Sequence, residues 1–373
     1  LDFDREITLT NLFKGEVVMT RKILPVVFII LVISAYFYYI YSIHRDPFYI
    51  HIHKDLSNND KVIMGEEKGI YCMTPGYVFY ISDKDYKILN KVRVNGGWNM
   101  APVRDGKIYV AIRGNLSKAG KAVAVLQNGK IIKYIELKNP LPRIVKYNEY
   151  DGKVYIGHIF FMSKNFITVF NTENDTVERY LPYNGEIEDI SFAKDNKMII
   201  SSWMPDKDKY KDKIDVIDLD NYSLIRSIPL NFKASSIEVI GDAIYLINGL
   251  SGDPFIYAVE WKKNDSTMIK KIKLSDNYPW RLYKNEISGK TYLYVTHYNI
   301  NNMSGQSISL IDPDQNKVIK VIHNAYHPGD IAFNNNEILV CDHVNERLLV
   351  LRDSKIVHEI KLGERPIFIV KAK

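Results

Sequence analysis

Residues 294–342 carry the phrase that decides the architecture. Tyr294-Val295-Thr296-His297 ends one apolar strand, and Ser307-Ile308-Ser309-Leu310-Ile311-Asp312 makes the next. A polar turn, Pro313-Asp314-Gln315-Asn316, leads into Lys317-Val318-Ile319-Lys320-Val321. Tyr326-His327-Pro328-Gly329-Asp330-Ile331-Ala332-Phe333 then opens a further strand, and after another polar turn comes Glu337-Ile338-Leu339-Val340-Cys341-Asp342. This phrase of four strands recurs along the chain, and self-similarity at a fixed period outweighs any single residue as a guide to fold.

Working outward, turns rich in asparagine and aspartate recur at Asp83, Asn128, Asn174, Asp220, Asn264, Asp314 and Asp353. One strand of each phrase begins near Trp98, Pro142, Ile187, Ser236, Trp280, Pro328 and Pro366. The spacing is roughly 38 to 48 residues, as expected of a propeller blade of four strands. The last phrase ends early, after Ile367–Ala372. Its partner is Gly69-Ile70-Tyr71-Cys72-Met73, at the other end of the repeat array. The C-terminal strand is therefore expected to be the innermost strand of a blade whose other three strands come from the N-terminal side. Such closure hides the sheet edges that an open array would expose. The expected fold is all-β, a seven-bladed propeller over residues 69–373.

The pattern resembles the YVTN-type β-propeller repeat family, within the broad quinoprotein-like seven-bladed group. The motifs that carry the resemblance are Tyr294-Val295-Thr296-His297, Ser309-Leu310-Ile311-Asp312 with Asn316-Lys317-Val318-Ile319, and Tyr326-His327-Pro328-Gly329. Asp215-Val216-Ile217-Asp218 and Gly363-Glu364-Arg365-Pro366 are partial matches. The resemblance is specific for fold and implies little about activity, because one fold hosts many functions.

Hydrophobic residues make up 46% of the chain and charged residues 25%, which suits a packed core and excludes global disorder. The net charge of +6 is spread without a basic block, so nucleic acid is not an expected partner. Residues 23–43, Ile23 to Ile43, contain no charge. About 20 apolar residues match the hydrocarbon core of a bilayer, so this run reads as a transmembrane anchor. Arg21 and Lys22 precede it, while Arg45 beyond it is offset by Asp46. The positive-inside bias then puts the N-terminus in the cytoplasm and the propeller outside the cell membrane. The run is long for a signal peptide and lacks a small-residue cleavage site, so an uncleaved anchor is preferred. Residues 1–22 read as a short cytosolic segment and 44–68 as a polar stalk. Met19-Thr20-Arg21-Lys22 also looks like a translation start, which would leave 1–18 untranslated.

The two cysteines, Cys72 and Cys341, fall in the second strands of adjacent blades. Read as equivalent positions, they point to equivalent faces rather than toward each other, and a bridge requires a register one residue different. Asp218-Leu219-Asp220-Asn221 and Asp312-Pro313-Asp314-Gln315-Asn316 lack the glycine and distant glutamate of a calcium loop and read as turns. The sequence has no phosphate-binding glycine loop and no Gly-x-Ser-x-Gly elbow.

In a propeller the innermost strand starts, and the second strand ends, on the same face, around the mouth of the central channel. The starts supply Trp98, Asn99, Arg143, Glu188, Asp189, Trp280, Arg281, His327, Asp330 and Arg365. The ends supply Arg113, His158, Trp203, Asn248, His297, Asp342 and His343. In one reading Arg143, Arg281 and Arg365 offer bidentate donors to an anion, Trp98 and Trp280 offer flat apolar faces, and His327 lies beside them. The partner is then an anionic glycan or other cell-envelope polymer, or a partner protein. In a second reading His158, His297, His327 and Asp342 converge on a metal ion, since imidazole and carboxylate are suitable ligands. A third reading gives each histidine only a hydrogen-bonding role between blades. No cofactor other than that metal ion is expected. The functional expectation is a binding or scaffold module. The alternative is a propeller enzyme, a lactonase-like metal hydrolase or a quinoprotein-type oxidoreductase, with its site at the channel mouth.

Overall fold

The computed structural model describes residues 69–373 apart from 116–117, 160–164, 206–209, 250, 263–268, 300–304 and 324–326. The expected segments 1–22, 23–43 and 44–68 lie outside the described residues. Among the described residues no helix is long and apolar enough to cross a membrane.

The described chain forms seven four-stranded antiparallel sheets. Six are sequential: blade 1 (97–136), blade 2 (142–183), blade 3 (186–230), blade 4 (236–273), blade 5 (279–322) and blade 6 (328–361). Blade 7 is composite, with strand order Phe368–Lys371, Gly69–Met73, Tyr77–Ser82, Ile88–Arg93. Its C-terminal strand pairs with the N-terminal one through Ile70↔Lys371, Tyr71↔Val370, Cys72↔Ile369 and Met73↔Phe368. The expected seven-bladed ring and its mode of closure are both present.

The strand sequences follow from their depth in a blade. Second and third strands are covered on both faces by neighbouring blades, so they read as unbroken apolar runs, such as Leu348-Leu349-Val350-Leu351, all buried. Outermost strands meet solvent and alternate: Lys355–Lys361 buries only Ile360. Lysines recur on these outer strands, at Lys130, Lys133, Lys270, Lys271, Lys317 and Lys320, where desolvating an ammonium opposes edge-to-edge pairing with another molecule. The polar turns match their backbone. Asn128 and Gly129 both have positive φ (49° and 69°), as a two-residue hairpin of the type favoured by strand twist requires.

Two features of the innermost strands set up the channel. First, five of them carry a register irregularity near their start, between Gly97/Asn99, Pro142/Ile144, Ile187/Asp189, Pro279/Arg281 and Pro328/Asp330. The residues passed over are Trp98, Arg143, Glu188, Trp280 and Gly329. A bulge re-aims its side chain out of the ladder. Second, side chains tie four of the innermost strands to the one that follows. Asn99 Oδ1 accepts the Val145 N–H (2.8 Å), Asp189 Oδ2 that of Ile237 (3.0 Å), Ser236 Oγ that of Leu282 (3.2 Å) and Asp330 Oδ2 that of Ile369 (2.7 Å). These bonds give backbone donors at the blade junctions their partners.

The same pattern corrects the reading of the cysteines. Ile369 stands where Val145, Ile237 and Leu282 stand in their blades, and it pairs with Cys72. The corresponding pair in blade 6 is Ile331↔Val340, so Cys341 lies one residue beyond the counterpart of Cys72. The two positions are not equivalent, because the irregular starts of the innermost strands conceal a one-residue offset from a count along the sequence. Both cysteines are free and buried.

Candidate binding site at the channel mouth

The mouth divides into two sectors of different electrostatic character. In the sector of blades 1 to 3, Arg143 is committed. Its guanidinium holds Glu188 through Nη1 (2.9 Å) and Nη2 (2.5 Å) and reaches Glu186 at 3.3 Å. Glu188 also accepts from Lys233 Nζ (2.6 Å) and from Trp203 Nε1 (2.8 Å). Arg113 stacks 4.2 Å from the ring of Trp98, which is itself exposed. Burial, and then repulsion from Arg143, lower the Arg113 pKa, while burial raises that of Glu186 against the pull of Arg143. Positive and negative groups here nearly cancel.

The sector of blades 5 to 7 is different. Tyr298, fully buried, makes edge contacts with Trp280 (5.7 Å), His327 (5.8 Å) and His343 (5.0 Å). His343 follows the second strand of blade 6, and its backbone N–H donates to the His327 carbonyl (3.3 Å). Its ring lies against Gly329. A Cβ built there would stand 2.0 Å from His343 Nε2, so glycine at this bulge makes room for the imidazole. His327 takes up φ 51°, a left-handed conformation that is uncommon outside glycine.

Several buried polar atoms in this sector lack a protein hydrogen-bond partner. Both ring nitrogens of His343, Nδ1 of His327 and Nε of Arg365 are buried and have no hydrogen-bond partner among the described residues. Each histidine is 7% exposed. Burial, and then the neighbouring Arg365, Arg281 and His327, push the His343 pKa down to about 3. At neutral pH its ring is uncharged, with one N–H to give. Arg281 stacks 4.6 Å from the Phe368 ring, and its nearest carboxylate is Asp330, at 3.9 Å. Burial lifts Asp330 to about 6, and its other oxygen contacts are the Tyr283 hydroxyl and the Ile369 N–H. A buried polar atom without a partner costs about 1–3 kcal/mol, so a cluster of them is a costly feature of this sector.

The residues proposed for a metal are not brought together. His158 Nδ1 contacts the Pro140 carbonyl (3.0 Å) and Nε2 the Thr168 hydroxyl (2.9 Å). His297 repeats this in blade 5, with Asn277 O (2.9 Å) and Ser309 Oγ (2.8 Å). Each ties the connection that enters its blade to that blade's own third strand, so these two histidines do hydrogen-bond, but within a blade and not to a neighbouring one. Asp342 is held by Arg347 Nε (2.8 Å) and Asn345 Nδ2 (2.8 Å). Among the described residues no group of three histidine, cysteine or acidic side chains is placed to hold a metal ion. Of the six rim residues, Trp280, Arg281, His327 and Arg365 lie in the sector of blades 5 to 7, while Trp98 and Arg143 lie in the neutralised one. Tyr298, the residue that joins the cluster, has no signal in sequence beyond its place after His297.

Comparison with known proteins yields the fold. No family model matches the sequence, and no curated protein matches it. Solved structures do. A functionally unknown protein from Desulfotomaculum acetoxidans superimposes with TM-score 0.61 at 12% identity, over 82% of this chain and 98% of that one. The Pseudomonas aeruginosa periplasmic gluconolactonase gives 0.58 at 13%, over 82% and 99%. Citrobacter koseri AztD gives 0.53 at 14%, over 82% and 96%. The shared feature is the propeller. At this identity the likeness carries no activity from those proteins to this one.

Proposed function

We propose that the protein is a membrane-anchored propeller displayed outside the cell, which binds an anionic group of a cell-envelope glycan, polymer or partner protein at its channel mouth. The observation that supports this reading is the set of unpartnered buried polar atoms on His327, His343 and Arg365, beside Arg281 and the Trp280 ring. Charge-assisted hydrogen bonds to a carboxylate or phosphate would give those atoms partners, and Trp280 would pack on the apolar face of a sugar ring. The propeller-enzyme alternative finds a lactonase among the structural neighbours, while among the described residues no group of three histidine, cysteine or acidic side chains is placed to hold a metal ion.

The test is a panel of acidic and neutral glycans against the purified chain, with lactone hydrolysis measured alongside. Salt-sensitive retention of acidic members without hydrolysis is the expected result. Equal retention of neutral members, or lactone turnover, would contradict it. Protease added to intact cells checks the topology: cleavage of the propeller is expected, and full protection until lysis would reverse the orientation.

A further inference from the structure

The chain contains two cysteines, and the fold brings them to one blade interface. Cys72 is on the second strand of blade 7, opposite Ile369; Cys341 is on the second strand of blade 6, opposite Asp330. The one-residue offset between them has a direct consequence, because a shift by one turns a side chain to the other face of its sheet. Cys72 therefore faces blade 6 while Cys341 faces blade 7. The two lie in a single core cluster with Ile70, Ile81, Leu339, Leu348 and Ile369. Tyr71 and Met73, on the other face of the same strand, are directed to blade 1, where they meet Gly129 and Gly97. Burial, and then the neighbouring Cys72 thiol, push the Cys341 pKa well up.

We propose that Cys72 and Cys341 are a disulfide-forming pair that clasps the closing blade to blade 6. The bond would join a strand from the N-terminal side of the ring to one near its C-terminal end, across a loop of about 270 residues, where the chain-entropy account of cross-linking gives a large effect. Formation is an exchange with an external disulfide such as oxidised glutathione. One cysteine thiolate attacks it and releases one thiol. The second cysteine then attacks the mixed disulfide and releases the other. The pair loses two protons and two electrons, and the external disulfide is reduced to two thiols. Both thiols are fully buried in the closed ring and Cys341 is disfavoured as a thiolate, so exchange occurs before the strand Phe368–Lys371 docks. Afterwards the same burial excludes reductants. The clasp is thus a product of folding rather than a switch, and it stands independently of what the channel mouth binds.

The test uses the full chain, unfolded, reduced and refolded in oxidised glutathione. It is then denatured and alkylated, with and without prior reduction, and analysed by intact mass and peptide mapping. The expected result is alkylation at both cysteines only after reduction, with one cross-linked species holding the Cys72 and Cys341 peptides. Two alkylated cysteines without reduction, stable glutathione adducts on both, or cross-linking only between chains would each overturn the proposal. Cys72→Ser and Cys341→Ser chains, handled identically, should each yield one glutathione adduct or free thiol. Because the readout is taken on denatured chains, it holds even for a variant that folds poorly.

Discussion

Cutting the chain after Arg365 removes only the last eight residues, 366–373, yet it is expected to abolish the fold. Those residues contain the innermost strand of blade 7, paired along Ile70–Met73. Ile369 and Val370 are 2% and 9% exposed. Burying each is worth about 1.5–3 kcal/mol, about 3–6 kcal/mol together. The Ile367 N–H to Met73 O and Ala372 N–H to Gly69 O bonds (2.8 and 2.9 Å) are lost with them. Asp330, fully buried, loses the Ile369 donor, and an orphaned buried group costs about 1–3 kcal/mol more. The total matches much of the 5–15 kcal/mol stability of an ordinary domain. Circular-dichroism melts of residues 47–373 and 47–365 make the comparison, with removal of Lys373 alone as the control, since that residue is exposed. The longer truncation should show no cooperative transition, or one lowered by tens of degrees. Equal melting temperatures would refute the assignment of that strand.

Three further outcomes are expected. Burial depresses His158 to about 4, so its stabilising neutral form is fully present above the unfolded value near 6.5 and is lost as pH falls through 4; this is about 3 kcal/mol, and His158→Asn should flatten the loss of melting temperature across that window. Arg143→Ala should lower stability, because Glu188 is buried against it, but leave retention of acidic ligands within about two-fold, whereas Arg365→Ala should lower retention about ten-fold with an unchanged melt. Gly329→Ala drives a methyl into the His343 ring; a loss of about 1–3 kcal/mol together with loss of ligand retention is expected, and a variant that retains ligand normally would show that His343 is not part of the site.

The ring was legible because its signals repeat. Apolar runs and Asn/Asp turns recur along the chain, and the incomplete last phrase located the closure at Phe368–Lys371. The mouth was legible only to the level of which residues reach it. Arg143 and Arg281 look alike in sequence, yet Glu186 and Glu188 on the next blade neutralise the first, and among the described residues only the Asp330 carboxylate, at 3.9 Å, approaches the second. That difference depends on contacts between blades more than 40 positions apart, which strand patterning does not encode. The cysteine offset was hidden for a similar reason: the bulges between Pro328/Asp330 and its counterparts change the count along a strand without changing its composition.

The most direct test of the account is a calorimetric titration of the purified chain with a uronic-acid oligosaccharide and with a phosphate-bearing polymer. It is run at low and at 0.15 M ionic strength, where the Debye length shortens to about 8 Å, on wild type, Arg365→Ala and His343→Ala. Wild type should bind at least one of the two, added salt should weaken this, and each variant should lose about ten-fold in affinity. No binding of either polymer by wild type at low salt, or binding that both variants retain unchanged, would contradict it.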